Sequence, residues 1–393
     1  MLAACLILLS FCGLGQTPPV KEFTTVVSGH SQMEKYLPML QNKRVAVLTN
    51  ASGKIGHTSL VDTLLSLKVN VKKVFVPEHG FRGDVEAGQP VSSAKDAKTG
   101  LPVISLYGKN KKPTPVQMSD IDVLLYDIQD LGVRFYTYIS TMSYAMEACA
   151  ENNKTMIVLD RPNPNGFYVD GPVLQPQFKS FLGLHPVPVV YGMTCGEYAL
   201  MVNGEGWLNK KLKCKLEVVG LENYDRKSTY KLPVQPSPNI RNYQAVLLYP
   251  GLGLFEGTIM SLARGTPWPF QMVGHPQYPD TLVYFIPKPD SIATKPRYAG
   301  KKCYGIDLRD HPWLSSHAGE LPINWLVEIY ARFRHEKFFE ATFNQHAGNS
   351  ELQAQIKEMI PPSSIRDSWR EDLEKFQSVR KKYLLYDDVP ARY

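Results

Sequence analysis

Five apolar, largely β-branched runs, each ending in polar or charged residues, constrain this chain more than any other feature of its 393 residues. They are Arg44–Asn50, Val71–Val76, Pro102–Tyr107, Val123–Asp127 and Met156–Asp160. Runs of this kind are expected of strands buried on both faces of a parallel sheet. Between the first two, Thr58–Leu67 places Leu60, Leu64 and Leu67 on one face of a helix. Between the last two, Ser140–Asn152 also reads as a helix. Strand–helix–strand order predicts a parallel sheet with right-handed crossovers. In open parallel sheets, ligands sit at the carboxyl ends of the strands. Those ends carry Asn50, Glu78–His79, Tyr107, Asp127–Asp130 and Asp160–Arg161, so these groups are expected to converge on one edge.

The remaining segments extend this plan. Phe81–Leu101 is a polar, Gly-containing excursion, of a length usually reserved for functional loops. Residues 167–190 are Pro-rich and are expected to wrap the surface. Thr194 opens a helix to Asn203, and Glu197 three residues on completes a capping box. That box gives Glu197 a structural role. Leu216–Val219 reads as a further strand. Composition shifts at Leu232-Pro-Val-Gln-Pro-Ser-Pro-Asn239, which marks a domain boundary. The expected architecture is α/β: a leader at 1–16, a Rossmann-like, mostly parallel sheet with flanking helices over 17–235, and a smaller α+β domain over 236–393 closing a cleft. In that second domain, strands are expected near Thr281–Ile286 and Cys303–Leu308. Helices are expected over 322–333, 350–357 and 364–381.

Net charge is +7 and the isoelectric point is near 8.9, but Lys and Arg are dispersed and no nucleic-acid motif occurs. Nucleic acid is therefore not an expected partner. Residues 1–16 form one uncharged apolar run, too short to span a bilayer comfortably. The run resembles the apolar core of a signal peptide, without the usual basic start. Export to a periplasmic or outer-surface location is the expectation, with a lipid anchor at Cys12 secondary because Phe11 spoils the lipobox. No other segment is apolar enough for a transmembrane span. Cys149, Cys195, Cys214 and Cys303 show no zinc-ligand spacing and are expected to be buried thiols.

The loop after the first strand, Asn50-Ala-Ser-Gly-Lys-Ile-Gly56, is neither GxGxxG nor a P-loop, so no nucleotide cofactor is expected. GxSxG and HExxH are also absent. His79, Asp127 and Asp160 lack compact metal-ligand spacing, and neither metal nor organic cofactor is expected. What remains is a set of carboxylates with Arg, Tyr and Asn, which suits glycoside cleavage. That reaction needs a carboxylic acid to protonate the leaving oxygen, and often a second carboxylate. An Arg fits a sugar bearing an acidic group, because guanidinium binds carboxylate bidentately. Tyr136, Tyr138 and Trp268 are candidates to flank sugar rings.

Several motifs then narrow the reading. Pro77-Glu-His-Gly-Phe-Arg-Gly83, Asp127-Ile-Gln-Asp-Leu-Gly-Val-Arg-Phe-Tyr-Thr-Tyr138 and Leu159-Asp-Arg-Pro-Asn-Pro-Asn-Gly166 resemble those of the NamZ-type exo-β-N-acetylmuramidases of bacterial peptidoglycan recycling. So do Tyr191-Gly-Met-Thr-Cys-Gly-Glu197, Pro236-Ser-Pro-Asn239, Phe255-Glu-Gly-Thr258 and Arg264-Gly-Thr266. The resemblance implies an active site in a cleft between two domains. It implies release of terminal N-acetylmuramic acid from the non-reducing ends of muropeptides or of N-acetylmuramyl-N-acetylglucosamine fragments. It makes Glu78 the expected catalytic carboxylate, beside His79. For the second carboxylate the order of expectation is Asp127, Asp130, Glu256. Asn50, Tyr136, Asp160 and Asn239 are expected to contact substrate. Arg82, Arg134, Arg161 and Arg264 are the candidates to read the lactyl carboxylate, with Arg134 and Arg264 foremost. A periplasmic binding protein for muropeptides or sugars, on the same scaffold but without catalysis, is the alternative. A protonatable carboxylate next to an imidazole favours the enzyme. The sequence does not fix oligomeric state.

Overall fold

A computed structural model of the chain describes residues 25–82, 94–227, 230–311 and 319–388. The leader-like run with Cys12, and residues 83–93 of the polar excursion, lie outside the described residues.

The first part alternates strands and helices. In order it contains α1 (Met33–Leu40), β1 (Val45–Thr49), a two-stranded hairpin of β2 (Lys54–Ile55) and β3 (Thr58–Ser59), α2 (Leu60–Ser66), β4 (Val71–Val76), β5 (Ala94–Lys95) and β6 (Pro102–Ser105). It continues with α3 (Pro115–Met118), β7 (Val123–Asp127), α4 (Tyr138–Glu151), β8 (Thr155–Leu159), α5 (Cys195–Gly204) and β9 (Lys215–Val219). Seven strands form one sheet in the order β5-β6-β4-β1-β7-β8-β9. Every pair is parallel except β5 with β6. The five apolar runs are thus the five central strands, and the mostly parallel α/β expectation holds.

The two-residue period of a strand explains the two cores. Ala46, Leu48, Phe75, Leu124, Tyr126, Met156 and Val158 face one side, where α4 and α5 pack. Val45, Val47, Val74, Val76, Leu125, Ile157 and Leu159 face the other, against Tyr36 and Leu40 of α1 and Leu60, Val61 and Leu64 of α2. The first of these cores does not stop at the sheet. It runs on through Leu248 and Leu252 of α6 (Tyr243–Leu252) to Trp325, Phe343, Trp369 and Phe376. The C-terminal part is therefore fused to the sheet's helical face by a shared apolar interior.

That C-terminal part holds a three-stranded antiparallel sheet, β10 (Met272–His275), β11 (Tyr284–Phe285) and β12 (Cys303–Asp307), in the order β10-β12-β11. Helices follow at Asn324–Arg332, Phe343–Ala347, Glu351–Lys357, Pro362–Asp367 and Arg370–Arg380. The stretch read as one helix over 364–381 is two helices, separated at Ser368–Trp369. The chain end returns to the first part. Arg380 donates to Gly192 O at 2.7 and 3.2 Å and pairs with Asp388, and the Tyr386 hydroxyl donates to Asp160 at 2.7 Å. The four cysteines of the described residues are buried free thiols. No helix among the described residues is long and apolar enough to cross a membrane.

Candidate active site

The strand β4 is buried from Lys73 to Val76 and stops at Pro77, after which the chain turns sharply. His79 and Gly80 both adopt left-handed backbone, at φ 72° and 71°. Glycine takes this conformation freely, whereas a residue such as His gives up about 1–2 kcal/mol. The turn presents Glu78 and His79 to a cavity of about 340 Å³.

The cavity walls come from widely separated segments. Tyr107, just beyond β6, hydrogen-bonds the Glu78 carboxylate. Burial, then the negative charge of Glu78, raises the Tyr107 pKa, so its O–H stays a donor. Tyr136, Thr137 and Tyr138 enter from the loop after β7 and the start of α4. Ser237, Asn239 and Ile240 follow the Pro-rich boundary, and Tyr249 lies on α6. Tyr136 packs edge-on against Tyr138 and Tyr249, and Tyr249 against Phe270, with centroids 4.7, 5.5 and 5.1 Å apart. This gives one side of the cavity an aromatic wall.

Opposite charges meet in the same space. Glu256, from the short helix Gly253–Gly257, is held by the guanidinium of Arg264, which also lies over the Phe270 ring at 5.1 Å. Arg264 follows Ala263, whose φ of 55° is left-handed, which explains why a Gly would suit that position. The Nε of Arg264 is buried and has no hydrogen-bond partner among the described residues. The Asn239 side chain is 4 % exposed, and its Oδ1 is likewise unpartnered. A buried amide oxygen without a donor is costly to maintain, and a ligand N–H would satisfy it.

The structure redistributes the residues expected from sequence. Glu78, His79, Tyr136, Asn239, Glu256 and Arg264 line the cavity. Asn50 and Arg82 line an adjoining chamber of about 610 Å³, which shares His79, Tyr138 and Ser237 with the first. Arg82 there is paired with Asp96 at 2.9 Å and Asp62 at 3.5 Å. The other candidates, which the sequence reading also directed at substrate, form a buried polar layer and line neither space. Asp127 is wholly buried and salt-bridged to the Arg161 Nε at 2.6 Å. Asp130 accepts from Gly132 N at 2.6 Å and from the Tyr191 hydroxyl. Asp160 takes four donors: the N–H groups of Arg161 and Gly196 and the hydroxyls of Thr194 and Tyr386. Burial pushes both Asp130 and Asp160 up to about 6.

Arg134 is the largest departure from expectation. It is wholly buried and donates to four carbonyls, those of Pro172, Val187, His346 and Ala347. It meets no carboxylate among the described residues, and burial lowers its pKa to about 9. Gly348 packs so closely that an added Cβ would stand 2.4 Å from the guanidinium, and its φ of 81° is left-handed. Arg134 therefore fastens the Phe343–Ala347 helix, and with it the cavity residue His346, to the first part.

Sequence reasoning missed Phe181, Leu182, Tyr249, Phe270 and His346 as cavity residues. Their signal was weak, since each is an isolated apolar or aromatic residue of a kind more often found in cores. Trp268 does not line the cavity and instead stacks under Arg309 at 4.2 Å. Among the described residues no group of three His, Cys, Asp or Glu side chains is placed to hold a metal.

Comparison with known proteins agrees with this architecture. Residues 45–244 match the N-terminal model of the exo-β-N-acetylmuramidase NamZ, and residues 247–386 match its C-terminal model. The seam between the two falls inside α6. The peptidoglycan β-N-acetylmuramidase NamZ of Bacillus subtilis is 38% identical over 373 residues, covering 89% of each chain. A DUF1343 family protein of Bacteroides fragilis, solved by crystallography, is 40% identical with a TM-score of 0.86, covering 93% of this chain and 100% of that one. A second one from the same organism is 32% identical with a TM-score of 0.78, covering 92% and 99%. The chain belongs to the NamZ family of exo-β-N-acetylmuramidases.

Proposed function

We infer that this chain is an exo-acting glycoside hydrolase that releases N-acetylmuramic acid from the non-reducing ends of peptidoglycan fragments. Beside the family membership, one observation carries the reading. Two carboxylates from different parts of the chain, Glu78 and Glu256, line one aromatic-walled cavity that also holds an arginine with unused hydrogen-bonding capacity.

In this reading the protonated form of Glu78 gives its proton to the glycosidic oxygen as the C–O bond breaks, and Tyr107 hydrogen-bonds the carboxylate left behind. Water then adds to the anomeric carbon and returns a proton. Glu256 replaces Asp127 and Asp130 as the second carboxylate, because it lines the cavity and they do not. It faces the positive charge that develops on the sugar ring. Arg264 orients Glu256 and keeps donors for the lactyl carboxylate, where a planar fork suits a planar anion. Asn239 Oδ1 takes the N–H of the 2-acetamido group. The apolar run 1–16 supports an exported location.

The test is hydrolysis of a chromogenic N-acetylmuramide by the parent and by Glu78→Gln. The variant should fold normally and lose two or more orders of magnitude in kcat, roughly the scale of acid–base catalysis. Near-parental turnover in Glu78→Gln would remove Glu78 from the mechanism. A parent that binds the muramide without cleaving it would instead make this a binding protein.

A further inference from the structure

The adjoining chamber differs in character from the catalytic cavity. The cavity contains the Glu78 and Glu256 carboxylates, whereas among the described residues no Asp or Glu lines the chamber. Lys54, His57 and Arg82 do. Arg82 is neutralised by Asp96 and Asp62, which leaves Lys54 as the cationic group without a salt-bridge partner among the described residues, with the His57 imidazole beside it on the hairpin. Both sit on the β2–β3 hairpin, whose tip turns through Gly56 at φ 58°. The hairpin is anchored beneath, since Leu60 N donates to Gly53 O at 2.9 Å and Lys54 N to Ser52 O at 2.9 Å. The opposite wall is the Pro233–Pro238 stretch, which offers flat apolar faces. His79, Tyr138 and Ser237 belong to both spaces, so the scissile bond placed at Glu78 would have its leaving side at the chamber mouth.

We propose that this chamber binds the leaving fragment, and that Lys54 on the hairpin reads a carboxylate carried by that fragment's second sugar. The proposal rests on the muramidase reading above. In an alternating glycan cut behind its terminal N-acetylmuramic acid, the first leaving sugar is a neutral N-acetylglucosamine. The second bears a lactyl group and is anionic. The neutral sugar would lie at the mouth between Tyr138 and the proline wall, and the acid would reach the hairpin. At about 610 Å³ the chamber has the size of sites that enclose drug-sized ligands. A carboxylate lining would repel such a fragment, and among the described residues the chamber has none. His57, three residues from Lys54 across the turn, adds a further donor. The enzyme would then select longer, acid-bearing glycans over disaccharides without any new contact at the bond that breaks.

The experiment compares two tetrasaccharides that differ at one group. One carries the free lactyl acid on its internal muramic residue, and the other carries the carboxamide there. Both keep the acid on the terminal residue. The parent should favour the free acid about fivefold in KM, the scale of one partly exposed ion pair. That preference should shrink as salt is raised from 10 mM to 0.5 M. Lys54→Met should show no preference, and Lys54→Glu should favour the carboxamide. A parent with equal KM for the two, or a preference untouched by both salt and Lys54→Met, would overturn the proposal while leaving the muramidase reading intact. Failure of the parent to cleave even an aryl N-acetylmuramide would bring down the muramidase reading, and this proposal with it.

Discussion

Arg134 separates two accounts of the same residue. From sequence, an arginine in Gly132-Val-Arg-Phe-Tyr136 is a candidate to clamp the lactyl carboxylate. In the fold it is an architectural tie, donating to two carbonyls of the 172–187 wrap and two at the end of the Phe343–Ala347 helix. Arg134→Met keeps much of the volume and removes all four donated bonds. An orphaned buried acceptor costs about 1–3 kcal/mol. The low end applies where the carbonyl keeps a second lone pair, so four give about 4 kcal/mol. Part of this returns, because the guanidinium is itself heavily desolvated, as its pKa of about 9 reflects. The net loss is about 3 kcal/mol. With an unfolding entropy of about 2.1 cal/mol/K per residue, that lowers the melting temperature by about 4 °C. Activity should fall on muramide and glucosaminide alike, because His346 shifts at the cavity wall. The ratio between the two substrates should hold. A melting temperature equal to the parent's, together with a collapsed ratio, would show that Arg134 reads the ligand and that the architectural account fails.

Other expectations follow from the same geometry. Arg264→Ala should lose about ten- to a hundredfold in preference for muramide over glucosaminide, measured as kcat/KM, since one charge-assisted contact is worth roughly 1.5–3 kcal/mol. Asn239→Ala should raise KM for N-acetylated sugars about tenfold, the scale of one buried amide contact, and should leave a non-acetylated analogue little changed. Stability should also depend on pH through two buried imidazoles. Burial lowers His30 to about 4 and His185 to about 3, so each favours the neutral form. Their contribution is present above about 6.5 and is lost as pH falls from there toward 4, at most about 2 kcal/mol each by pH 5. Asp130 and Asp160, raised from 3.8 to about 6, run the other way: their contribution is present below about 3.8 and is lost as pH rises toward 6. The diagnostic is therefore the difference between parent and His185→Gln in urea midpoint across pH 7 to 5. The variant should show the shallower decline, and parallel curves would contradict a neutral, buried His185.

The central strands were legible because burial on both faces leaves no polar alternation to confuse the pattern. Both faces of β1 and β7 meet apolar layers, and each reads as an unbroken run. Helix α5 was legible from its cap, where Thr194 and Glu197 make the reciprocal bonds expected of them. Helix α6 was not assigned from sequence. It is buried nearly all round, so it shows no amphipathic stripe, and Pro250 inside it reads as a breaker. Strand β10 is short and carries Gly274 and His275, which hide it in the same way. On the site side, Glu78 and His79 stood out because a carboxyl and an imidazole directly after a buried strand have few structural reasons to be there. Tyr249 and His346 could not stand out, since only tertiary packing brings α6 and the Phe343–Ala347 helix to that strand end.

The harder ambiguity lay among the strand ends themselves. Sequence places polar groups at one edge but does not say which face the ligand and which brace the loops. Here most of them brace. The Thr49 hydroxyl donates to Asp127 O at 2.8 Å, and Asn50 Oδ1 accepts from both the N–H and the hydroxyl of Ser52. The Ser52 hydroxyl in turn accepts from Gln129 N at 3.0 Å, which joins the loops after β1 and β7. Asp127 with Arg161 continues the tie to β8, and Asp160 carries it to α5 and to the chain end at Tyr386. The loops after β1, β7 and β8 are thereby locked to one another. The loop after β4 is the one that turns upward, through left-handed His79 and Gly80, to present Glu78. A strained turn persists only where its surroundings over-determine it. Asp127 and Asp160 belong instead to the network that ties the neighbouring loops, and neither lines the cavity to which that turn brings Glu78.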